Sequence, residues 1–237
     1  MAHLRPLLDG TIRCWGYNDV GSLGDGTTTR RLVPTLVPGL MGVATVSAGA
    51  SHTCARMNDG TVRCWGLNSY GQLGDGTTSN RMIPTVVSGL SAVAEVVTGN
   101  TYTCARSMDG SVRCWGWNAY GQLGNGAVTS QATPTLVPGL SGVARLRLAV
   151  CVCALLTNGT VSCWGYNGSG ALGDGTIVDR YVATVVPGLT GVVEVAAGGS
   201  HTCVRLMNNT VACAGENSSG QLGVPYARLE PTVIPTL

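Results

Sequence analysis

Residues 104–126 read CARSMDGSVRCWGWNAYGQLGNG, and residues 54–76 read CARMNDGTVRCWGLNSYGQLGDG. Two tracts this alike, 50 residues apart, decide the fold class. Their Arg-Cys-Trp-Gly core also stands at Arg13-Cys14-Trp15-Gly16. Weaker copies follow at Ser162-Cys163-Trp164-Gly165 and Ala212-Cys213-Ala214-Gly215. The third position of the core advances by 50, 50, 49 and 50 residues, so the chain is a tandem array. Four copies end in Asp-Gly or Asn-Gly (Asp25-Gly26, Asp75-Gly76, Asn125-Gly126, Asp174-Gly175), and the fifth has Val224-Pro225 instead.

Within one unit, Val93–Val97 is short and rich in β-branched residues, and Thr101–Arg106 is a second candidate strand. Met108-Asp109-Gly110 reads as a turn, with Gly110 free to take positive φ. Ser111–Trp115 is a third strand and Pro134–Val137 a fourth, with the proline at its start. No segment carries an apolar stripe of helical period. The expected fold is all-β: a β-propeller, or an arc of one, with about five blades of up to four antiparallel strands.

Composition narrows the function. Charged residues are 11%, lysine and phenylalanine are absent, and 14 arginines face 12 acids. That balance argues against a nucleic-acid binder, which needs a concentrated basic face. No apolar run is long enough for a membrane helix, so membrane insertion is not expected. The start, MAHLRPLLDG, lacks a signal-peptide core.

His52-Thr53-Cys54-Ala55, Asp59-Gly60-Thr61-Val62 and the tract from Cys64 to Gly74 resemble the regulator of chromosome condensation repeat, in its cysteine-bearing bacterial form. The likeness covers essentially the whole chain. It implies a propeller, which in that family has seven blades. This chain, read as a single repeat domain over 1–237, holds four nearly full units (43–92, 93–142, 143–191, 192–237) and a partial one (1–42) that lacks its first strand. A shortened ring, an open arc, or an arc completed by another chain all remain open. Self-association through the end blades is therefore one expectation for partners.

The cysteines are paired in sequence: Cys54/Cys64, Cys104/Cys114, Cys153/Cys163 and Cys203/Cys213, each ten residues apart. A hairpin turning midway sets them opposite one another, within disulfide reach. Four within-blade disulfides are expected, ahead of buried thiols or a metal site. They imply a secreted, periplasmic or cell-surface protein. Cys14 and Cys151 are left over; Cys14 faces Leu4 in the repeat register.

No catalytic constellation is visible, and no enzyme activity, cofactor or metal is expected. His52 and His201 share one repeat position and read as packing residues. The recurring Asn18, Asn68, Asn118, Asn167 and Asn217 read as loop organisers. The Trp at 15, 65, 115 and 164 read as fillers between blades. Arg31, Arg81, Gln131, Arg180 and Arg228 form a repeated set, either solvated or able to meet an anion. Positions that vary between copies are the natural binding candidates. They include Tyr17, Tyr70, Trp117, Tyr120 and Tyr166, which either form an aromatic rim or pack inward. A rim of this kind suits a protein partner, and the resemblance adds inhibition of a secreted enzyme as one form. The alternatives are a structural or assembly element, including a fragment of a larger propeller, and a carbohydrate-binding module.

Overall fold

The computed structural model describes residues 2–7 and 9–234. Nineteen strands fall into five antiparallel sheets, one per repeat, with no helix among the described residues. The first blade has three strands: β1 (Ala2–Pro6), β2 (Ile12–Gly16) and β3 (Arg31–Leu36). The second has four: β4 (Val43–Ala48), β5 (His52–Met57), β6 (Val62–Gly66) and β7 (Arg81–Val86). The third is β8 (Val93–Thr98), β9 (Tyr102–Ser107), β10 (Val112–Gly116) and β11 (Gln131–Leu136). The fourth is β12 (Val143–Leu148), β13 (Cys151–Leu156), β14 (Val161–Gly165) and β15 (Arg180–Val185). The fifth is β16 (Val192–Ala197), β17 (His201–Leu206), β18 (Val211–Gly215) and β19 (Arg228–Val233).

The chain divides into two compact units. One takes residues 1–108, 112–118 and 129–136; the other takes 109–111, 119–128 and 137–237.

The hairpin between the second and third strands turns on a side chain. Asp109 Oδ1 accepts the Ser111 N–H at 2.9 Å and its hydroxyl at 2.7 Å, and Gly110 sits at φ 81°. That pairing of an Asx turn with a left-handed glycine is why the Asp-Gly dipeptide punctuates the repeat. The turn fixes a register in which Cys104 opposes Cys114. All four cysteine pairs are disulfide-bonded, with Cα atoms 4.1–4.2 Å apart.

The fourth strand begins three residues earlier than the sequence suggests. Pro134 lies inside β11 and not at its start. It is tolerated because β11 is a sheet edge, paired to β10 alone, so a missing N–H breaks no ladder on the open side. Such prolines also discourage edge-to-edge pairing of strands that expose Leu32, Val33, Met82 and Ile83.

The core sits between blades. Trp65 packs with Ile12, Leu23, Val37 and Ala55, and Trp115 packs with Val62, Leu73, Val87 and Val96. In the second unit, Leu172, Val186, Val195 and Val204 form the corresponding layer. One sheet cannot bury its own apolar face, so each blade's stability depends on its neighbour.

Cys14 and Cys151 are buried and stand outside the four disulfides. Leu4 stands directly opposite Cys14 in the β1–β2 register, as Cys54 stands opposite Cys64. Leu4→Cys is therefore expected to form a fifth disulfide, seen as a two-hydrogen mass loss on non-reducing mass spectrometry. The gain is at most about 2–3 kcal/mol, reduced by the lost packing of Leu4 on the first seam. A free thiol at both positions in the folded variant would contradict the register.

Candidate binding surface

Each blade's third strand leads into a Gly-x-Asn-x-x-Gly-x-Leu-Gly loop, and the asparagine builds it. Asn68 is wholly buried. Its Nδ2 donates to Asp75 Oδ1 (3.1 Å) and to the carbonyls of Thr77 and Ser79 (3.0 Å each). Its Oδ1 accepts the Leu73 N–H at 2.9 Å. Asn18 and Asn167 do the same in their own loops. Asn167 also heads a glycosylation-type Asn-Gly-Ser triplet, but its complete burial leaves no room for a glycan.

Three members of the arginine set are paired within their own loops. Arg31, Arg81 and Arg180 each bind the loop aspartate of their own blade (Asp25, Asp75 and Asp174) at 2.6 Å. Burial pushes the Asp75 carboxyl up. Arg81, Thr77 and Asn68 together outweigh it and hold the group below its ordinary 3.8. The pair's contribution is therefore complete above that value and is lost as pH falls through the lowered one. In the third blade both members change together, to Asn125 and Gln131, which removes both charges at once. In the fifth, Arg228 remains while Val224 replaces the acid, and its buried Nε has no hydrogen-bond partner among the described residues.

The titratable groups deep in the blades are chemically quiet. His52 is wholly buried; burial lowers it to about 4, and its Nε2 meets Thr103 Oγ1 at 2.9 Å. Burial raises the Cys14 thiol to about 12 and the Cys151 thiol to about 11, far from a reactive thiolate. Among the described residues, no three His, Cys, Asp or Glu side chains gather where a metal could sit. No helix is long and apolar enough to cross a membrane.

What these loops present is aromatic. In the first unit, Tyr70 and Trp117 lie with ring centroids 6.1 Å apart, tilted by 50°. In the second unit, Tyr120 and Tyr166 meet edge to face at 5.1 Å and 65°. Each pair takes one ring from a blade's loop and one from the loop that follows it, so each bridges a seam between neighbouring blades. Tyr70 and Tyr120 are more than two-fifths exposed, and Trp117 and Tyr166 are partly buried. Tyr17 is 54% exposed and joins no ring pair among the described residues; its hydroxyl is hydrogen-bonded to Asp19, which raises it above the usual 10. The copies without aromatics leave Val20 and Leu67 at one seam, and Ser169 and Glu216 at another.

Two features escape the sequence reading. Gly168, Ile177, Pro225, Tyr226 and Leu229 line an open groove of about 540 Å³ in the second unit. Its signal was the lost Asp-Gly turn, which puts Pro225 and Tyr226 there. A groove of about 410 Å³ lies on the first blade, against His3, Trp15, Tyr17 and Leu32. Trp15 differs here from its three counterparts. They are wholly buried, whereas Trp15 keeps partial exposure and stacks on His3 at 5.7 Å.

Comparison with known proteins matches this geometry. The chain shares the fold of human WBSCR16 (24% identity, TM-score 0.83), over 99% of this chain and 65% of that one. It also shares the fold of yeast RCC1 (Prp20), solved bound to Kap60, at 21% identity and TM-score 0.83, over 99% of this chain and 60% of that one. The chain thus spans under two-thirds of these structures. A 49-residue stretch, 20% of the chain, is 49% identical to the human E3 ubiquitin-protein ligase HERC2 and covers 1% of that protein. The Regulator of chromosome condensation (RCC1) repeat model matches residues 9–56, 59–106, 109–153 and 158–205. A second model of the repeat matches 43–72, 93–122 and 192–221. With most of its length covered by that repeat, the chain belongs to the regulator of chromosome condensation (RCC1) repeat family, as an all-β protein of five blades, four of them disulfide-bonded.

Proposed function

We propose that this chain is a non-enzymatic protein-binding module of an oxidising compartment, secreted or held at a cell surface. Its partner is gripped by the seam-bridging ring pairs Tyr70–Trp117 and Tyr120–Tyr166. One observation carries the reading: aromatic rings crowd the loop tips at positions that change from copy to copy, while the asparagine, glycine and leucine frame beneath them stays fixed. A large ring that is half buried and half wet is the usual anchor of a protein interface. The four disulfides are consistent with the compartment. Yeast RCC1 (Prp20) has been solved bound to a protein, Kap60, which lends the class support without naming a partner here. Inhibition of a secreted enzyme is one form such binding takes.

The test pairs binding with stability. Immobilised wild-type chain and the variant Trp117→Ala/Tyr166→Ala are exposed to a secreted protein fraction, and captured species are titrated back individually. The variant is expected to lose tenfold or more in affinity, about 1.4 kcal/mol or more, while melting within a few degrees of wild type. A large fall in melting temperature would show instead that the rings are core. Retained affinity, or hits only on a glycan array, would overturn the protein-binding reading.

A further inference from the structure

The first and second strands of a four-stranded blade meet in one register, and one position of that register carries charge. In the third blade Glu95 stands directly opposite Arg106, and Glu95 Oε2 accepts the Arg106 Nε–H at 3.3 Å. Each of these side chains keeps only 18% of its surface exposed. The fifth blade repeats the pair with Glu194 opposite Arg205, at 3.2 Å. In the fourth blade both residues change, to Arg145 opposite Leu155, so the second strand gives up its arginine where the first gives up its acid.

The second blade changes one partner and keeps the other. Arg56 holds the arginine's place on β5, and the residue opposite it is Thr45. Threonine ends at its γ atoms and is uncharged, so it supplies neither the reach nor the carboxylate of Glu95. The Arg56 Nη1–H donates to the Met57 carbonyl over a long 3.4 Å. Its Nε is buried and has no hydrogen-bond partner among the described residues. Such a guanidinium has given up water at one N–H without gaining a counter-charge, a cost that a bound anion would relieve. Arg56 as a whole is half-buried and Thr45 is exposed, so the guanidinium can be approached from the side on which other blades place their glutamate. Both strands lie wholly within the first unit.

We propose that Arg56 is a receptor for a carboxylate supplied from outside the chain, which takes the place of the glutamate this blade lacks. The carboxylate accepts the Nε–H and a neighbouring Nη–H, the fork that a guanidinium presents to it. The sibling blades define the ligand class, since the group bonded to arginine at this register is a carboxylate in both. It is borne by an acidic side chain of a protein partner or by a free organic acid. One arginine holds it, so an isolated carboxylate binds weakly. The inference goes beyond the ring-pair reading and does not depend on it, because free acetate probes the site without any partner.

NMR of the arginine Nε–H groups tests it on the full chain, with sodium acetate exchanged for sodium chloride at neutral pH and constant ionic strength. The Arg56 signal is expected to move and saturate. Those of Arg106 and Arg205, already bonded to Glu95 and Glu194, are expected to stay in place. Thr45→Glu supplies the acid from within the blade and is expected to raise the acetate needed for half the shift by about tenfold or more. Thr45→Ser, a neutral control, is expected to respond as wild type does. If Thr45→Glu fails to fold, melting serves instead: acetate in place of chloride is expected to raise the melting temperature of wild type and not that of Arg56→Gln. A glutamate-rich peptide, titrated in the same way, separates the two sources. A response at a lower carboxylate concentration than acetate requires assigns the site to acidic side chains of a protein, and equal or lower potency assigns it to free organic acids. An Arg56 signal that ignores both probes, or that responds in Thr45→Glu as it does in wild type, overturns the proposal.

Discussion

Trp115→Ala is expected to destabilise the protein by about 3–5 kcal/mol. The indole is wholly buried, packs against Val62, Leu73, Val87 and Val96, and donates to the Gln72 carbonyl. Its loss opens a large cavity in a seam whose glycine, Gly74, has no side chain to move in. It also leaves the Gln72 carbonyl with one donor fewer, although Thr103 still serves it. Trp15→Ala removes the same side chain from a position that keeps partial exposure and stacks on His3, and is expected to cost less than about 1 kcal/mol. Urea unfolding of the two variants measures the difference. Equal costs would mean that tryptophan stabilises its own sheet and not the seam.

Asn68→Asp is expected to be nearly as damaging, at about 3 kcal/mol or more at neutral pH. The change is isosteric, so packing is untouched and the effect is electrostatic. The carboxylate cannot donate to the carbonyls of Thr77 and Ser79, which lose a buried partner at about 1–3 kcal/mol each. It also faces Asp75 across 3.1 Å, where the amide donated before. Two like charges this close raise the folded-state pKa of the pair. The penalty is then full at neutral pH and shrinks as pH falls and one carboxyl takes a proton. Asn118→Asp is an internal control. Its loop carries Asn125 in place of the aspartate, so no second charge is present and the loss is expected to be smaller. Chemical denaturation at two pH values measures both, and identical losses in the two loops would contradict the charge argument.

Much of the fold was legible because the repeat states its rules five times. The ten-residue cysteine spacing and the Asp-Gly turn together dictated a hairpin register, and the structure has it. The recurring asparagine announced a loop organiser, since a buried amide has donors and an acceptor to satisfy at once. Proline at 134 suggests a strand start in the sequence, whereas its place inside β11 depends on which neighbour is missing, a tertiary fact. The pairing of Arg31, Arg81 and Arg180 is hidden from the sequence for a similar reason. Arg31 and Asp25 are only six residues apart, but their pairing rests on how the loop folds back, which no period reveals. The partial exposure of Trp15 is hidden in the sequence because its local motif matches that of the buried copies. The aromatic positions were visible as variable sites, and their meeting in pairs across seams emerged only from the arrangement of neighbouring blades.

The central claim is that a blade's tryptophan is locked by the loop of the blade before it. Hydrogen exchange of the indole N–H groups, followed by NMR, tests this most directly. The account predicts slow exchange for Trp65, Trp115 and Trp164, which are bonded to the carbonyls of Ser22, Gln72 and Gln122, and fast exchange for Trp15. Comparable protection of all four, or rapid exchange at Trp65 or Trp115 under native conditions, would contradict it.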